Sequence, residues 1–525
     1  MFGRILGEVD VYIKITMSSE NNKRIAKNTI FLYIRMLLIM AVSLYTSRVV
    51  LQALGVEDYG IYNVVGGIVV LFTFINSAMV SSTQRFLNFE LGKNDTVQAR
   101  KIFSISLNIH ILIALFVLLL SETVGLWLLN TTIQYPESKE VAVQITYQLS
   151  ILTTCVNVVR TPYNAAIIAH EKMSFYAYFS IIEAVLRLAI VFILIDIDNH
   201  RLIMYGLLLC IVTMIINVCY YVYCKRTFEI CHYKNYQEKS LYVQLLNFSG
   251  WSLFGGVANM GASQGLNILL NIFFGVTVNA AMGIANQVNA AVSSFVSSFQ
   301  TAFNPQIVKS YAAGDMGYFI RLILTTSKYS YLLLFVIALP IYICCPEVLS
   351  IWLTEVPDYA VPFCRLMLIF LLLDALQGPL WFSVQATGKI KAYQILMSFM
   401  ILSNVPIAYI CLKLGYSPNS VLAIRCMVNF ATLFVRLWYL RRLYSFPVIE
   451  FVKEVIFRIL PITLIAYLIS YITIVETTAS IKVSIVFVET ILINTLLVIT
   501  IGFNGNEKHI VVNNIKRLYE KYRGN

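Results

Sequence analysis

The chain has 525 residues, of which 59% are hydrophobic and only 13% charged, against about 45–50% and about 25% in an ordinary soluble domain. So few charges cannot coat a soluble surface, and 32 Phe and 32 Tyr exclude a disordered chain. The net charge of +12 is spread between hydrophobic runs, which does not indicate a nucleic-acid-binding face. We therefore expect an all-α integral membrane protein.

Apolar runs long enough to cross a membrane, about 20 residues each, follow one another along the whole sequence. We predict about 14 transmembrane helices, each with a start that is fixed to within several residues. The predicted spans start near residues 28, 59, 102, 143, 174, 202, 241, 277, 322, 361, 390, 418, 459 and 480.

The loops between these spans alternate in charge. Most Lys and Arg residues fall in loops on one side, together with the tails 1–27 and 503–525, and the positive-inside rule places that side and both termini in the cytoplasm. The first apolar run begins only after Arg24, so we expect no cleavable signal peptide, and the true start is either Met1 or Met17. The loops of the opposite side carry only Lys139, Arg201, Lys413 and Lys482.

An internal repeat appears at an offset of about 217 to 222 residues. We predict two parallel six-helix repeats, an N-lobe over 28–240 and a C-lobe over 241–452, with two extra helices over 453–502. Two parallel repeats are typical of alternating-access transporters, which bind substrate between the lobes; duplication for stability alone is the other interpretation. The clearest match pairs Pro162, Ala169, Lys172 and Tyr176 with Pro379, Ala386, Lys389 and Tyr393.

Seven arginines and four acids fall inside predicted spans, a surplus of three positive charges. An arginine at the centre of a bilayer costs about 2.5–3.5 kcal/mol, so these side chains must face water, protein or a counter-charge. Arg35, Arg160 and Arg187 lie deepest, and we predict that they bind an anionic substrate. Snorkelling to the interface explains the arginines near span ends, which are Arg48, Arg365, Arg425 and Arg436.

Two acids lie near the middle of predicted spans, Glu183 and Asp374. They are the candidates for binding a coupling ion. Glu183 precedes Arg187 by four residues, so the two can form an ion pair on one helix, with a structural or a functional role.

Amide and hydroxyl side chains form a stripe on the eighth span. Their spacing of three or four residues places them on one helical face, and we predict that they bind substrate; packing between helices is the alternative. The stripe comprises Asn286, Asn289, Ser293, Ser297 and Gln300, and Asn304 continues it.

No motif for enzymatic chemistry is present. The chain has no GxxxxGK[ST] phosphate loop, and its ten cysteines form neither a CxxC pair nor a zinc-binding pattern with histidine. We therefore expect no catalytic residue, no metal, no disulfide and no cofactor.

Four segments, mostly in the first two spans, resemble a known family. They are similar to the Wzx-type flippases of lipid-linked oligosaccharides, which belong to the multidrug/oligosaccharidyl-lipid/polysaccharide (MOP) exporter superfamily. The resemblance rests on Asn22–Thr29, Ser47–Leu51, Leu54–Tyr62 and Gln84–Phe86.

The resemblance implies a flippase of the bacterial inner membrane that translocates an undecaprenyl-diphosphate-linked repeat unit for O-antigen or capsule-type polysaccharide. It also implies that Arg35 faces the cavity, with Arg85 at the cytoplasmic mouth, and that a polysaccharide polymerase acts beside the flippase. Separately, we expect the chain to be a monomer. Two other functions stay open: a cation-coupled multidrug exporter of the same superfamily and a membrane-embedded glycan polymerase. The polymerase is disfavoured because we predict no large loop and no acidic cluster outside the membrane.

Overall fold

The computed structural model describes residues 24–502, apart from residues 26, 44, 47–48, 51–52, 56–57, 59–60, 63–64, 67–68, 70–72, 132–135, 196, 198–199, 354–355 and 477–481. Arg48, residues 1–23 and 503–525 of the predicted tails, the choice between Met1 and Met17, and parts of the motif segments before residue 73 lie outside the described residues. Within the described ranges the chain is helical and has no strand. The predicted fold class is therefore confirmed.

Each predicted span overlaps a helix, and one long helix, α8, accounts for two spans. In the part of the chain described here, ten helical segments are by themselves long and apolar enough to cross a membrane. The helices are α1 (27–43), α2 (Phe74–Gly92), α3 (Thr96–Leu120), α4 (Leu126–Thr131), α5 (Glu140–Ala169), α6 (Met173–Ile195), α7 (Arg201–Thr227), α8 (Lys239–Ala312), α9 (Met316–Ile343), α10 (Cys345–Trp352), α11 (Ala360–Thr387), α12 (Lys391–Leu402), α13 (Asn404–Lys413), α14 (Asn419–Tyr444), α15 (Val448–Phe451), α16 (Phe457–Glu476) and α17 (Lys482–Leu497).

The 74-residue helix α8 breaks at Gly275, where φ is 76° and ψ is −167°. A residue with a β-carbon rarely adopts this backbone conformation, whereas glycine does so without steric cost. The break divides α8 into two segments, each long enough to cross a bilayer. It therefore accounts for the separate seventh and eighth spans of the sequence prediction.

The sequence repeat recurs in the backbone. Three positions with positive φ in the first repeat have counterparts with positive φ in the second, at offsets within the range read from the sequence. Gly275 interrupts α8, and the members of the other two pairs lie in turns directly after a helix. The pairs are Gly55 and Gly275, Asn94 and Gly314, and Glu171 and Gly388.

The residue after the second of these pairs is an aspartate in both repeats, and it caps the next helix. Asp95 Oδ1 accepts a hydrogen bond from the backbone N–H of Gln98 over 2.9 Å at the start of α3. Asp315 Oδ1 accepts one from the N–H of Tyr318 over 3.1 Å at the start of α9. Such N-caps satisfy a donor that the first helical turn leaves free, so the two repeats begin their third helix by the same device.

Large apolar side chains cover outward faces of several helices. On α3, Leu112, Leu115, Phe116 and Leu119 are all exposed at a spacing of three or four residues. A continuous apolar face of this kind would be unfavourable in water. It is the expected lipid-facing surface of a membrane span.

The described residues pack into two units. Unit 1 runs to Val257 and adds Thr301–Tyr318 and Gln385–Gln394; unit 2 comprises Ala258–Gln300, Phe319–Val384 and the residues from Ile395. In unit 1, α5 packs against α3 and α7 around a buried core that includes Phe103, Ala166 and Tyr220. In unit 2, α8, α11 and α14 bury Leu270, Phe363 and Val421. The lobe boundaries 28–240, 241–452 and 453–502 stay a prediction.

Candidate functional site

One face of α6 carries four polar side chains in unit 1. Tyr176, Ser180, Glu183 and Arg187 are spaced by four, three and four residues, which places them on the same side of the helix. Side chains of α1, α5 and α7 meet this face. Glu183 and Arg187 were predicted from the sequence as site residues. Tyr176 and Ser180 were not, although they follow the same helical spacing.

Glu183 holds two arginines at once. Its Oε1 atom pairs with Arg187 Nη2 over 2.8 Å on the same helix, and its Oε2 atom pairs with Arg160 Nη1 of α5 over 3.1 Å. The side chains of Arg160 and Glu183 are 17% and 14% exposed, and Arg187 is 42% exposed. Two positive charges and one negative charge leave this cluster with a net charge of +1.

Arg35 adds a further positive charge from α1. Its guanidinium carbon lies 4.4 Å from the centroid of the Tyr176 ring, an attractive cation–π contact that leaves the charge of the arginine uncompensated. Among the described residues, no acid lies within ion-pair distance of Arg35, and its Nε is buried without a hydrogen-bond partner.

Aromatic rings connect Arg35 to the cluster at Glu183. Arg160 lies 5.3 Å from the centroid of the Tyr220 ring on α7. Tyr220 in turn lies close enough to Tyr176 to interact with it electrostatically. Unit 1 therefore brings three of the predicted arginines, Arg35, Arg160 and Arg187, to one polar face of α6.

Arg85, the fourth arginine predicted to bind substrate, is held by the backbone of the turn between α11 and α12. Its Nε donates to Gln385 O over 3.1 Å and its Nη2 donates to Ala386 O over 3.0 Å. The arginine can come this close because Gly388 lacks a β-carbon, which would lie 2.7 Å from Nη2. Arg85 is thus a positioning residue for this turn, and direct binding of substrate by Arg85 stays a prediction.

The equivalent turn of the first repeat, between α5 and α6, is held by an ion pair. Glu171 has a positive φ of 58° and a fully buried side chain. Its carboxylate accepts from Lys309 Nζ over 2.6 Å and from Gln306 Nε2 over 2.7 Å, and Arg24 lies 3.6 Å away. This contact could not be predicted from the sequence, because the partners are more than 130 residues apart.

A histidine next to this turn is also held in place. His170 Nδ1 lies 2.9 Å from Ala166 O, and the ring stacks on Phe228 with centroids 4.1 Å apart. Burial lowers the pKa of His170 below its usual value, and the hydrogen bond to Ala166 O opposes this in part. The charges of Lys309 and Lys172 add to the lowering, and Glu171 opposes it slightly. A neutral imidazole fits this position best.

The predicted polar stripe lies on α8 in unit 2, with side chains that are exposed or half-buried: Asn286, Asn289, Ser293, Ser297 and Gln300. The Ser293 and Ser297 hydroxyls donate to carbonyls one turn back on the same helix. Asn289 Oδ1 is buried without a hydrogen-bond partner among the described residues. The amide of Gln300 lies against Gly378 of α11, where a β-carbon would collide with it.

Asp374 lies one helical turn from Gly378 on α11 and is exposed. Arg436 and Arg425 of α14 are close enough to act on its charge. Arg436 Nη1 also donates to Gln377 O over 2.9 Å, and Arg425 lies 4.2 Å from the centroid of the Phe370 ring. Both acids predicted to bind a coupling ion therefore have two arginines beside them.

The part of the chain that the structure describes holds no group of three or more His, Cys, Asp or Glu side chains that could hold a metal ion. His110, the histidine inside a span, is buried, and its Nδ1 lies 2.7 Å from Ser106 O on the same helix. This contact gives His110 a structural role.

Neither a family model nor a curated protein matches the chain. Solved structures do match, at low sequence identity. The MATE transporter ClbM in complex with Rb+ has a TM-score of 0.69 and 16% identity, covering 82% of this chain and 97% of that one. An outward-facing multidrug resistance MATE family transporter of the MOP superfamily has a TM-score of 0.66 and 15% identity, covering 79% and 95%.

A third structure, from Pyrococcus furiosus, is a MOP superfamily transporter for which the reverse polarity of the binding pocket suggests a different function. Its TM-score is 0.66 at 15% identity, and the match covers 79% of this chain and 95% of that one. Identities this low establish the fold and not the substrate. The chain has the fold that these MATE transporters share.

Proposed function

Starting from this transporter fold, we propose that the chain translocates a polyprenyl-diphosphate-linked oligosaccharide across the bacterial inner membrane by alternating access, for the assembly of a polysaccharide. No bond is made or broken in this process. The diphosphate binds at the arginine-bearing face of α6, the glycan contacts amide and hydroxyl side chains, and the polyprenyl tail stays in lipid.

The observation that carries this proposal is the excess of arginine over acid around the mid-span carboxylates. The carboxylate of Glu183 pairs with both Arg160 and Arg187. Arg35 of α1 packs against the same face of α6 and has no acidic partner among the described residues. Such a surface favours a multiply charged anion, because arginine forms short, charge-assisted hydrogen bonds to phosphate oxygens. A diphosphate can use several of these donors at once.

The stripe on α8 supports the sugar part of the proposal. Asn286, Asn289 and Gln300 supply amide groups that both donate and accept hydrogen bonds, as sugar hydroxyls do. An uncharged stripe can accept different glycans without a fixed charge pattern. We assign these residues to the glycan and Arg35, Arg160 and Arg187 to the diphosphate.

The alternative is a cation-coupled multidrug exporter. Two of the similar solved structures support it, since one is a multidrug resistance transporter and the other is a complex with Rb+. A coupling cation needs an available carboxylate inside the membrane. Glu183 and Asp374 are the mid-span candidates, and each lies beside two arginines that repel cations. We therefore favour the anionic lipid.

A flippase of this kind acts as a monomer with both termini in the cytoplasm, where lipid-linked repeat units are made. The translocated repeat unit is released on the opposite side of the membrane, where polymerase machinery uses it. Membrane lipid and the lipid-linked oligosaccharide are its proposed partners, and nucleic acid is not.

The proposal can be tested with the purified full chain in proteoliposomes. The probe is farnesyl-diphosphate-linked N-acetylglucosamine with a fluorophore on the sugar, and dithionite quenches the fluorophores of the outer leaflet. We expect the chain to move the probe between leaflets, and Arg35→Ala to slow this movement by about tenfold, equivalent to about 1.4 kcal/mol of lost interaction. Arg35→Lys should retain part of the rate, because it keeps the charge.

Arg365→Ala is the matched control. Arg365 also lies in a span and over a tyrosine ring, 5.5 Å from the centroid of Tyr342, but belongs to unit 2 and donates to backbone carbonyls. Equal rates for Arg35→Ala and the wild type, or equal losses in both variants, would count against the proposed role. Movement of a cationic dye without movement of the lipid probe would select the multidrug exporter.

A further inference from the structure

A cavity of about 380 Å³ lies within unit 1 between the beginning of α8 and the turn that joins α11 to α12. Three of its lining residues are cationic, and none of its lining residues is an acid. Two amides and an indole are among its other polar lining groups. The side chains concerned are Arg85, Lys389 and Lys391, Gln244 and Asn247, and Trp251.

Arg85 forms one wall of this cavity. It contributes positive charge there rather than a free pair of guanidinium N–H donors. Two of its N–H groups bind carbonyls of the turn, and the rings of Phe86, Phe89 and Phe248 surround its guanidinium at 4.5, 4.6 and 5.8 Å. Carbonyl groups satisfy the donors without neutralising the charge. Arg85 therefore adds positive potential at the wall of the cavity, and Glu90 offsets part of it.

The two lysines line the cavity with long, flexible side chains. Both are exposed, and they flank Ile390 on the turn that Arg85 fixes. Lys391 Nζ lies 5.1 Å from the centroid of the Trp251 ring, a distance at which the cation is attracted to the indole face. An anion entering the cavity would meet two flexible ammonium groups, with the amides of Gln244 and Asn247 opposite as hydrogen-bond donors.

The helix that lines the cavity also has an apolar face beside it. Val243, Leu246, Phe254 and Val257 of α8 are exposed, and their spacing places them on a face adjacent to the one that carries Gln244, Asn247 and Trp251. A ligand in the cavity can thus keep a charged group among the lysines and lay a hydrocarbon chain along α8. A soluble anion would use only the first of these two surfaces.

We propose that this cavity is a binding site for the phosphate group of an anionic lipid. Lys389 and Lys391 pair with the phosphate oxygens, Gln244 and Asn247 donate hydrogen bonds, and Arg85 holds the turn in position and adds charge. The basic loops place this end of the helices on the side predicted to be cytoplasmic. The site exists whether or not the chain transports a glycan, so it does not depend on the proposed function.

The test measures equilibrium binding of farnesyl diphosphate to the purified full chain in a neutral detergent. We expect Lys389→Gln combined with Lys391→Gln to weaken binding by about tenfold or more, because two charge-assisted contacts are lost. Both lysines are exposed, so the variant should fold normally. Wild-type affinity should fall as the salt concentration rises.

The matched control combines Lys225→Gln with Arg226→Gln at the end of α7. These residues are also exposed, and the change removes the same two positive charges. We expect the control to bind farnesyl diphosphate as the wild type does, and Arg35→Ala to keep the part of the binding that Lys389→Gln/Lys391→Gln loses. Equal weakening in the two double variants would overturn the site, as would loss of all binding in Arg35→Ala with none in Lys389→Gln/Lys391→Gln.

Further probes separate the possible sources of the phosphate. Inorganic diphosphate should bind at least about tenfold more weakly than farnesyl diphosphate, since it gains nothing from the apolar face; equal affinities would overturn the assignment to a lipid. Dihexanoyl phosphatidylglycerol carries one phosphate of a bulk membrane lipid. Preference for farnesyl diphosphate supports a site for the transported lipid, and similar affinities support a site for bulk anionic lipid.

Discussion

Arg160 of α5 and Glu183 of α6 lie 3.1 Å apart, and the same carboxylate also binds Arg187 one turn away. Replacing Glu183 with Gln leaves two arginines without their counter-charge in a largely buried position. Breaking such a pair costs on the order of 3 kcal/mol, so Glu183→Gln should lower the unfolding temperature measured in detergent. Glu122→Gln, where the carboxylate accepts from Gln148, should have a much smaller effect; equal losses would contradict the assignment.

The same variant separates the two candidate functions. Removing the carboxylate of Glu183 raises the net charge of the cluster from +1 to +2. If this cluster binds a diphosphate, folded Glu183→Gln protein should still bind and move the anionic lipid probe. If Glu183 carries a coupling cation instead, the variant should lose cation-dependent transport while remaining folded. Transport of both kinds of probe, measured in the same proteoliposomes, decides between these results.

The ion pair between Glu171 and Lys309 should contribute measurably to stability. The Glu171 side chain is fully buried and that of Lys309 is 20% exposed, so little solvent screens the interaction. A double-mutant cycle with Glu171→Gln and Lys309→Gln should give a coupling free energy on the order of 1–3 kcal/mol. The exposed pair Arg100 and Glu229 is the control and should couple by about 1 kcal/mol or less. Coupling of similar size in both pairs would show that burial does not strengthen the contact.

Gly388 and Gly415 offer a second matched comparison. Both have positive φ, 75° and 85°, but a β-carbon at Gly388 would lie 2.7 Å from Arg85 Nη2, whereas one at Gly415 would meet nothing within 4 Å. Gly415→Ala should therefore cost only the backbone strain, about 1 kcal/mol. Gly388→Ala should cost more, because Arg85 must also move. Thermal unfolding of the two variants checks this, and equal losses would mean that the Arg85 contact adds nothing.

Stability should depend on pH through His170. Its pKa in the folded chain lies below the usual value near 6.5, so as the pH falls through about 6.5 the unfolded chain takes up a proton and the folded chain does not. The contribution of neutral His170 to the free energy of unfolding is complete above pH 6.5. Below that pH it is lost as the pH falls, by at most about 1.4 kcal/mol per pH unit. His170→Gln should reduce the loss of stability between pH 7.5 and pH 5.5. The same loss in the variant and the wild type would exclude His170 as its source.

Much of the fold could be predicted from the sequence, because hydrophobic length and local spacing determine where spans form. The break at Gly275 and the caps at Asp95 and Asp315 also belong to this local class. The pairing of Glu183 with Arg187 followed from a separation of one helical turn. These features need no knowledge of which helices are neighbours.

The remaining parts of the site depend on which helices pack together. Arg160 reaches Glu183 from another helix, and Lys309 reaches Glu171 from 138 residues away. The lining of the cavity at Arg85 comes from three separate segments of the chain. Sequence spacing could not show that two donors of Arg85 bind backbone carbonyls, or that Lys391 lies beside the indole of Trp251.

Translocation of the lipid-linked repeat unit can be measured in a bacterial strain that lacks this gene. Polyprenyl-linked intermediates are treated with a membrane-impermeant label, extracted and identified by mass spectrometry, which reports the leaflet that holds them. We expect complete lipid-linked repeat units to accumulate on the cytoplasmic face, and the wild-type gene, but not Arg35→Ala, to clear them. Accumulation of repeat units on the outer face, or no change in lipid-linked intermediates, would contradict the proposed flippase function.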